Sequence, residues 1–454
     1  MKKSTWDYIK KLFIISLPII LQQLFTNFAS LLDTLMVGQL DETSVSGIYV
    51  ATQIMFVSNL MVLGSLEGSS IFFSQYFGTS DQENMEKIYA YKYIFSIFVG
   101  VLTMVIILGF GREIARMFTS SEQEIEVAMS YINIVSFGMV PLAISSTIST
   151  SLREAHNTFS PMLINLIGII SNFIFNYLFI FGKFGFPYLG ATGAAVGTIV
   201  NRVLEMALLI VYIQVKRDKY PFSKKLLSHL KIQKKLFARV SLKSIPLFLN
   251  ETLWSLTQFF LVFLLTKCDS IATTVLPIVQ TIFNLIFVVL LGLGNGISII
   301  VANNVGRGEF DEAQRRAYLS ILFSLVCCFV LGILLFSASD FIASLYKGIN
   351  QESKDLASIL IKFSCVTLLL NGLNTTLFFL LRSGGKTEVV FFFDSVYGWI
   401  VMLPFAFILV NFTQLSFMVV YMLVYSIDII KVFIGGTLII RKKWYKNLTT
   451  QKNN

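Results

Sequence analysis

Charged side chains are scarce in this 454-residue chain: Asp, Glu, Lys and Arg together make up 14% of it, against roughly 25% in a typical soluble domain. Hydrophobic residues make up 55% of the chain. Because so few charges cannot cover a surface that faces water, the composition excludes an ordinary soluble enzyme. The high hydrophobic content also excludes a disordered chain.

Cysteine and histidine are rare as well, with four and two residues. The cysteines show no CxxC spacing and no disulfide framework, and both histidines lie in polar segments, so a histidine-based metal centre within the apolar segments is not expected. The sequence has no GxxxxGK[ST] motif, which excludes a P-loop ATPase. We therefore expect no cofactor, and energy from an ion gradient or another external source.

Long apolar runs are abundant, and each is long enough for a transmembrane helix, which needs roughly 20 apolar residues. Outer-membrane barrel strands alternate over about ten residues, whereas these runs are continuous. The sequence therefore predicts an all-α integral membrane protein with twelve spans. They lie near 12–37, 49–76, 88–110, 127–151, 162–182, 189–213, 242–267, 275–303, 316–337, 355–381, 388–410 and 414–440.

The longest polar interruption is a basic segment over 214–241, with six spans on each side. It predicts an N-lobe over 1–213, a cytoplasmic linker over 214–241, a C-lobe over 242–441 and a cytoplasmic tail over 442–454. With both termini inside, the cytoplasmic side carries 27 Lys and Arg and the outer loops carry six, which strongly favours this orientation. A linker helix resting on anionic lipid is plausible, and nucleic acid is not an expected partner.

The two halves repeat each other. A shift of 228 places Pro18 on Pro246 and also aligns Gly64 with Gly292. Each half has an even number of spans, so the copies share one orientation and are related by a pseudo-two-fold axis along the membrane normal. Parallel repeats of this kind are typical of transporters that bind their substrate between the halves.

A polar stripe follows the first predicted helix and, at about 100° per residue, spans roughly 140°. Its members are Gln22, Gln23, Thr26, Asn27, Ser30, Asp33 and Thr34. Such a stripe should face the interior of its half rather than lipid. Asp33 is its one carboxylate and therefore a functional candidate; alternatively it is an interfacial aspartate, because it lies near the end of the span.

Two other carboxylates lie within predicted spans. On the seventh helix Glu251 shares a face with Ser255 and Gln258, where it would form a cation site or a protonated, hydrogen-bonded core group. On the second helix Glu67 lies towards the cytoplasmic end beside two glycines. Close packing with an interfacial acid is the favoured interpretation there.

Structural or gating roles are the expectation for two charge pairs and two prolines. The pairs are Arg202 with Glu205 and Asp428 with Lys431. Their i, i+3 spacing predicts that each pair neutralises itself, whereas Asp394 and Lys362 are nearer the ends of their spans and should snorkel. The prolines, Pro18 and Pro246, are expected in the first turns of their helices, where a proline either kinks the helix or is harmless.

Several segments resemble the multidrug and toxic compound extrusion (MATE) family. They are LPIILQQ over 17–23, LDTLMVG over 32–38, QYFG over 75–78, Leu152-Arg153, and GKFGFPYLGATGAAVGT over 182–198. The resemblance covers nearly the whole chain, and the last of these motifs, between the fifth and sixth helices, is quite specific.

The resemblance implies two six-helix lobes arranged in a V and export of organic cations against Na⁺ or H⁺. It makes Asp33 the acid of an N-lobe cation site, with Na⁺ as one candidate ion. The residues that would surround it are Gln22, Asn27, Asn172, Asn176 and Thr198. Glu251 resembles the seventh-helix acid, but 356–381 contains no Asp or Glu, so the helix-ten acid of some members is absent and the N-lobe is favoured.

The expected function is therefore a secondary antiporter in the cell membrane that exports cationic or amphipathic small molecules and acts as a monomer among membrane lipids. The main alternative is a flippase for lipid-linked cell-envelope precursors, which would need several positively charged side chains facing its cavity. A substrate-specific transporter is a further alternative. A membrane-embedded enzyme is disfavoured, because no nucleophile–base pair or metal cluster is recognisable in a span.

Overall fold

The computed structural model describes residues 2–37, 39–40, 42–224, 234–344 and 350–449. Within those ranges the chain is helical and contains no β-strand. Twelve helical stretches are long and apolar enough to cross a membrane, which confirms the predicted fold class. Part of the basic linker, 225–233, lies outside the described residues, as does the end of the C-terminal tail.

Fifteen α-helices make up these spans. They are α1 (Lys2–Val37), α2 (Glu42–Thr79), α3 (Gln82–Arg116), α4 (Glu122–Val135), α5 (Met139–Glu154), α6 (Phe159–Phe181), α7 (Ala191–Val215), α8 (Lys234–Thr266), α9 (Ser270–Gly306), α10 (Phe310–Ser344), α11 (Gln351–Ser383), α12 (Thr387–Phe391), α13 (Leu403–Phe412), α14 (Phe417–Ser426) and α15 (Ile429–Ile440).

Three spans consist of more than one helical segment. Helices α4 and α5 follow each other through a 3₁₀ turn over Ser136–Gly138. Helices α12 and α13 are joined by two π-helical stretches, Phe392–Val396 and Gly398–Met402. Helices α14 and α15 are separated by a break at Ile427 and Asp428. Inserted π turns are often found at functional sites, so the interruption between α12 and α13 is of particular interest.

The described residues divide into two compact units. Unit 1 comprises Met1–Ile20 and Leu249–Asn454, and unit 2 comprises Leu21–Phe248. Each has its own apolar core, built in unit 2 largely from α2 to α5 with α7 and in unit 1 largely from α8, α9, α11, α13 and α14. The lobe boundaries inferred from the sequence, at 213 and 242, stay a prediction.

The two repeat-related prolines lie inside helices rather than in their first turns, so that part of the sequence interpretation is wrong. Helix α1 is already helical at Lys2, well before Pro18, and α8 is helical from Lys234, well before Pro246. The polar, lysine-containing residues ahead of each apolar run extend the helix. Each proline therefore removes one interior backbone hydrogen bond, a known cause of bending, two residues before the chain passes from one unit to the other.

Candidate functional site

Asp33 in unit 2 is held by an asparagine on α6. Asn176 Nδ2 donates a hydrogen bond to Asp33 Oδ1 over 2.7 Å, and the same amide nitrogen lies 3.4 Å from Asn172 Oδ1. Both asparagines are buried. Among the described residues no lysine or arginine lies within ion-pair distance of Asp33. The carboxylate thus has a polar partner but no fixed positive charge beside it.

Close packing of α6 against α7 fixes the position of that asparagine. Gly193 on α7 lies so near the backbone of Phe179 that a Cβ atom would come within 2.6 Å of its carbonyl carbon. One turn further along α7, Gly197 faces Asn176, whose Oδ1 is buried without a hydrogen-bond partner. Only a residue without a side chain lets the Asn176 amide occupy this position.

Thr198 follows Gly197 on α7 and lies at the edge of the same polar region. Its hydroxyl donates to the carbonyl of Ala194 within the helix. The Tyr131 side chain of α4 forms a hydrogen bond with Thr198 and lies within electrostatic range of both Asp33 and Arg202. Tyr131 therefore links the Asp33 region to the basic residue on α7.

Gln22, towards the other end of the polar stripe, contacts an arginine. Arg153 Nη2 of α5 donates to Gln22 Oε1 over 3.1 Å and to Ser149 Oγ over 3.0 Å. One turn after Gln22, the Thr26 hydroxyl lies 3.4 Å from Asn165 Oδ1, and Asn165 Nδ2 lies 3.4 Å from Glu205 Oε1. The stripe is therefore part of a wider polar network.

The polar stripe does not face inward along its whole length. Gln22 is buried and Asp33 is half-buried, but Thr26, Asn27 and Ser30 are exposed at the surface of the described protein. The expectation that the stripe faces the interior of its half is therefore wrong for these three. Helical angles show which residues share a face, but not which neighbouring helices cover that face.

Arg202 and Glu205 do not neutralise each other through an ion pair. Arg202 Nη2 donates to Asn59 Oδ1 of α2 over 3.0 Å, while Glu205 accepts from Asn165. The Arg202 side chain passes Gly138, where a Cβ atom would come within 2.7 Å of its Cδ. Arg153 and Arg202 both interact electrostatically with Glu205. With Asp33, the network contains two guanidinium groups and two carboxyl groups, so its formal charge is zero.

Asp428 and Lys431 in unit 1 do not form the expected pair either. Lys431 Nζ forms its ion pair with Asp394 Oδ1 of the neighbouring span over 2.7 Å. Asp394 Oδ2 also accepts from Asn250 Nδ2 over 3.2 Å. The Asp394 and Lys431 side chains are only 13% and 12% exposed, so Asp394 is a buried ion-pair partner and does not snorkel. The i, i+3 spacing gave the wrong partner because a closer acid is supplied by another helix.

The remaining candidate residues lie on α8 and α2. Glu251 is half-buried and Gln258 likewise, and the Ser255 hydroxyl donates to the carbonyl of Thr252 within α8. Glu67 is half-buried on α2. One residue later, Gly68 packs tightly on Ser244 of α8.

Lys362 pairs with Asp340 on the preceding span, with Nζ–Oδ1 at 2.8 Å, and the Asp340 side chain is 75% exposed. The expected position of Lys362 near the end of its span is therefore consistent with this ion pair to an exposed acid.

Sequence reasoning missed several members of the unit 2 network, namely Arg153 as a polar partner, Asn165, Asn59 and Tyr131. One signal could have revealed Asn165. It precedes Asn172 by seven residues and Asn176 by eleven, which is the spacing of one helix face. Three asparagines on one face of an otherwise apolar span indicate a buried polar partner, although not which one.

Among the described residues, no group of three or more His, Cys, Asp or Glu side chains is arranged to hold a metal ion.

Comparison with known proteins identifies the family. The MatE family model matches residues 18–178 and 246–408, well over half of the chain. This chain belongs to the MatE family. The two matches begin 228 residues apart, which is the shift that places Pro18 on Pro246. MatE proteins are transporters rather than enzymes, and the chain is a multi-pass membrane transporter of the multidrug efflux type.

Curated relatives are similar over nearly their whole length. Probable multidrug resistance protein YoeA of Bacillus subtilis (strain 168) is 24% identical over 421 residues, covering 92% of this chain and 90% of the relative. Probable multidrug resistance protein NorM of Oceanobacillus iheyensis is 25% identical over 422 residues, covering 90% and 91%.

Solved structures share the fold. A crystal structure of MATE in complex with MaD3S matches with a TM-score of 0.86 at 18% identity, covering 96% of both chains. A MOP superfamily transporter from Pyrococcus furiosus matches with a TM-score of 0.82, also at 18% identity and 96% coverage of both chains. At this identity the likeness shows the fold alone.

Proposed function

We propose that this transporter is a secondary antiporter that exports cationic or amphipathic organic compounds in exchange for H⁺ or Na⁺, with Asp33 as the coupling carboxylate. The observation that carries this proposal is the environment of Asp33. Its carboxylate accepts from the Asn176 amide, and among the described residues no basic side chain pairs with it. An amide donor stabilises the ionised acid without cancelling its charge, so a mobile cation can bind there.

Alternating access follows if the coupling ion and the exported compound favour different conformations of the protein. A ligand shifts a conformational equilibrium only by its differential affinity for the two states. The cation-bound and cation-free forms of Asp33 differ by one charge in a partly buried place. In low-dielectric surroundings one charge changes the electrostatic energy strongly. An organic cation competes for the same charge or is released when the conformation changes.

The charge balance of the unit 2 network supports small-molecule export over the flipping of anionic lipid-linked precursors. Two guanidinium groups are balanced by two carboxyl groups, Asp33 and Glu205, so the network offers no surplus of positive charge to a large anionic head group. The names of the relatives, which are multidrug resistance proteins, point to the same substrate class.

We also propose that the protein resides in the cell membrane with both termini and the basic linker in the cytoplasm, among lipids. The relatives come from bacteria, and the excess of basic residues in the predicted inner loops supports this orientation. Because the polar network around Asp33 is formed within one chain, a monomer suffices for the proposed activity.

The test is export of a fluorescent organic cation from proteoliposomes, with Na⁺ and pH gradients imposed separately. Asp33→Asn keeps the size of the side chain but removes its charge, so it should insert normally and lose gradient-driven export, whereas Asp33→Glu should retain part of it. Asp355→Asn is the matched control, because Asp355 is an exposed acid at the start of α11, and it should export at the wild-type rate.

Glu251→Gln distinguishes this site from one on the seventh span. It should weaken export but leave an ion-dependent response of unit 2 measurable. Near-normal export by Asp33→Asn refutes the role of Asp33. If Glu251→Gln at the same time loses all ion response, the coupling site belongs to Glu251 instead.

A further inference from the structure

Four basic side chains from α1, α9 and α10 form a basic cluster at one end of unit 1. Arg307 follows the last residue of α9, and Arg315 and Arg316 lie in the second turn of α10. Lys11 lies on the first part of α1, which belongs to the same unit. Among the described residues, the charged groups that act on Lys11 are Arg316 and Arg307, and both are positive. Like charges held close together repel each other, so an anion that binds among them is stabilised.

Polar contacts fix α1 against α10 beside the basic cluster. The Tyr8 hydroxyl lies 2.5 Å from Ser320 Oγ, and both residues are buried. The guanidinium carbon of Arg316 lies 5.6 Å from the centroid of the Tyr8 ring, and Arg315 Nη2 donates to Thr5 Oγ1 over 3.2 Å. The bases are therefore carried by packed helices, which hold them in a defined arrangement.

The acids beside the basic cluster do not cancel its charge. Glu312 forms an ion pair with Arg316, with Nε–Oε1 at 2.8 Å, and Glu309 lies in the turn that precedes α10. Two further acids each have a lysine to match them, Asp7 with Lys10 one helical turn later and Asp311 with Lys442 through an ion pair at 3.3 Å. In the described part of this region the four bases of the cluster thus exceed the two unmatched acids, which leaves a formal charge of +2.

The surplus charge is accessible and lies directly beside apolar surface. Lys11 and Arg307 are exposed, and the Arg315 side chain is 36% exposed. Exposed apolar side chains continue from Arg315 along one face of α10, namely Tyr318, Leu322, Val326 and Phe329. The candidate span Phe310–Ser344 begins five residues before Arg315. A ligand at this place therefore meets positive charge at the end of the span and apolar side chains further along it.

From these observations we infer a lipid site at the edge of unit 1, where the basic cluster binds the phosphate of one anionic phospholipid and the exposed face of α10 lies along its acyl chains. Clusters of basic residues at the ends of spans attract anionic head groups. A zwitterionic lipid brings a positive group of its own and is not favoured by a surplus of two positive charges. A free phosphate ion makes no use of the apolar face. The site depends neither on Asp33 nor on which compound is exported.

Lipid binding to the purified full-length protein, in a neutral detergent and without any gradient, tests the inference. Native mass spectrometry counts the lipid molecules retained at increasing concentrations of phosphatidylglycerol or of phosphatidylcholine. The wild-type protein should retain one phosphatidylglycerol molecule at concentrations well below those needed for phosphatidylcholine. Inorganic phosphate and glycerophosphoglycerol, which lack acyl chains, should not displace this lipid when added at the same concentration.

Two double variants locate the site. Lys11→Gln/Arg307→Gln removes two exposed bases of the cluster. Because each basic residue near an anionic lipid surface strengthens binding by about fivefold, the affinity for the first phosphatidylglycerol should fall by about 25-fold. Lys216→Gln/Arg217→Gln is the matched control, because it removes the same charge from exposed positions after α7 in unit 2, and it should keep the wild-type affinity.

A third variant should strengthen binding, which misfolding cannot imitate. Glu309→Gln removes one of the two unmatched acids, so the surplus rises from two to three and the affinity should increase by about fivefold. The inference is overturned if the two lipids bind equally well, if both double variants lose the same affinity, or if Glu309→Gln binds no more tightly than wild type. Displacement of the lipid by an equal concentration of inorganic phosphate would instead assign the cluster to a free anion and overturn the lipid site.

Discussion

Replacing Gly197 with alanine should disturb the candidate coupling site without touching a charged residue. A Cβ atom at this position of α7 would overlap Asn176 Oδ1 and lie 3.2 Å from the Asn176 backbone nitrogen. Asn176 is fully buried, so its amide cannot swing into solvent. Either the amide rotates or α6 and α7 move apart, and both changes break the 2.7 Å hydrogen bond to Asp33.

The size of the effect follows from that bond. A hydrogen bond to a charged group contributes about 1.5–3 kcal/mol, and each 1.4 kcal/mol corresponds to about a factor of ten in an equilibrium constant. Because the Asn176 donor stabilises the carboxylate in its cation-free form, losing it should tighten binding of the coupling ion. We expect the ion concentration for half-maximal dye export to fall by about 10- to 100-fold, with slower turnover because the ion is released less readily.

The assay is the proteoliposome export measurement, repeated over a series of Na⁺ or H⁺ concentrations. Gly109→Ala is the matched control, because a Cβ atom at this position of α3 meets nothing within 4 Å, and it should behave as wild type. Asn176→Ala should shift the curve in the same direction, and combining it with Gly197→Ala should add little, because both act on one bond. An unshifted curve for folded Gly197→Ala, or additive shifts in the double variant, would refute the reasoning.

Two further predictions concern stability and topology. Lys92 and Glu154 form a buried ion pair in unit 2, with Nζ–Oε2 at 2.5 Å. Lys92→Met leaves the Glu154 charge buried without its partner and should lower the free energy of unfolding by about 3–5 kcal/mol, whereas the double variant Lys92→Met/Glu154→Met should recover most of that loss. Equal thermal stability of Lys92→Met and wild type in detergent would contradict this prediction. In a background without the native cysteines, single cysteines at Thr43 and Phe184 should react with an impermeant reagent from outside and one at Lys219 should not. Lys347, predicted on the outer side of the membrane, and Ser228, predicted on the cytoplasmic side, are not among the described residues. A cysteine at position 347 should react with the impermeant reagent, and one at position 228 should not. Reaction at position 219 or 228 from the outer side would reverse the orientation.

The sequence could predict the twelve spans because each is a local property. A run of roughly 20 apolar residues has no stable place in water and forms its hydrogen bonds within itself as a helix in a bilayer. The repeat was equally readable, since the shift that aligns Pro18 with Pro246 also separates the two matches of the family model. Helix ends were less predictable. Polar turns such as Lys2 to Lys11 continue α1 although they contribute nothing to an apolar run.

Charge pairing could not be predicted in the same way, because it depends on which helices become neighbours. The i, i+3 rule offered Asp428 to Lys431, but Asp394 lies 37 positions away in sequence and still approaches Lys431 to 2.7 Å. Arg202 likewise forms its hydrogen bond with Asn59, 143 positions away, and not with Glu205. In both cases a partner from another helix makes a hydrogen bond with good geometry, whereas the residue one turn away only contributes a longer-range attraction.

The two acids that the local rule treated alike therefore end in different roles. Glu205 accepts from Asn165 and lies within electrostatic range of Arg153 and Arg202, so its charge is offset by side chains. Asp428 loses its presumed partner to Asp394 and is left with an unpartnered oxygen atom at an interrupted helix. A pairing error made from sequence is thus informative once corrected, because it shows that the partner of Lys431 is set by the packing of neighbouring helices and not by spacing along one helix.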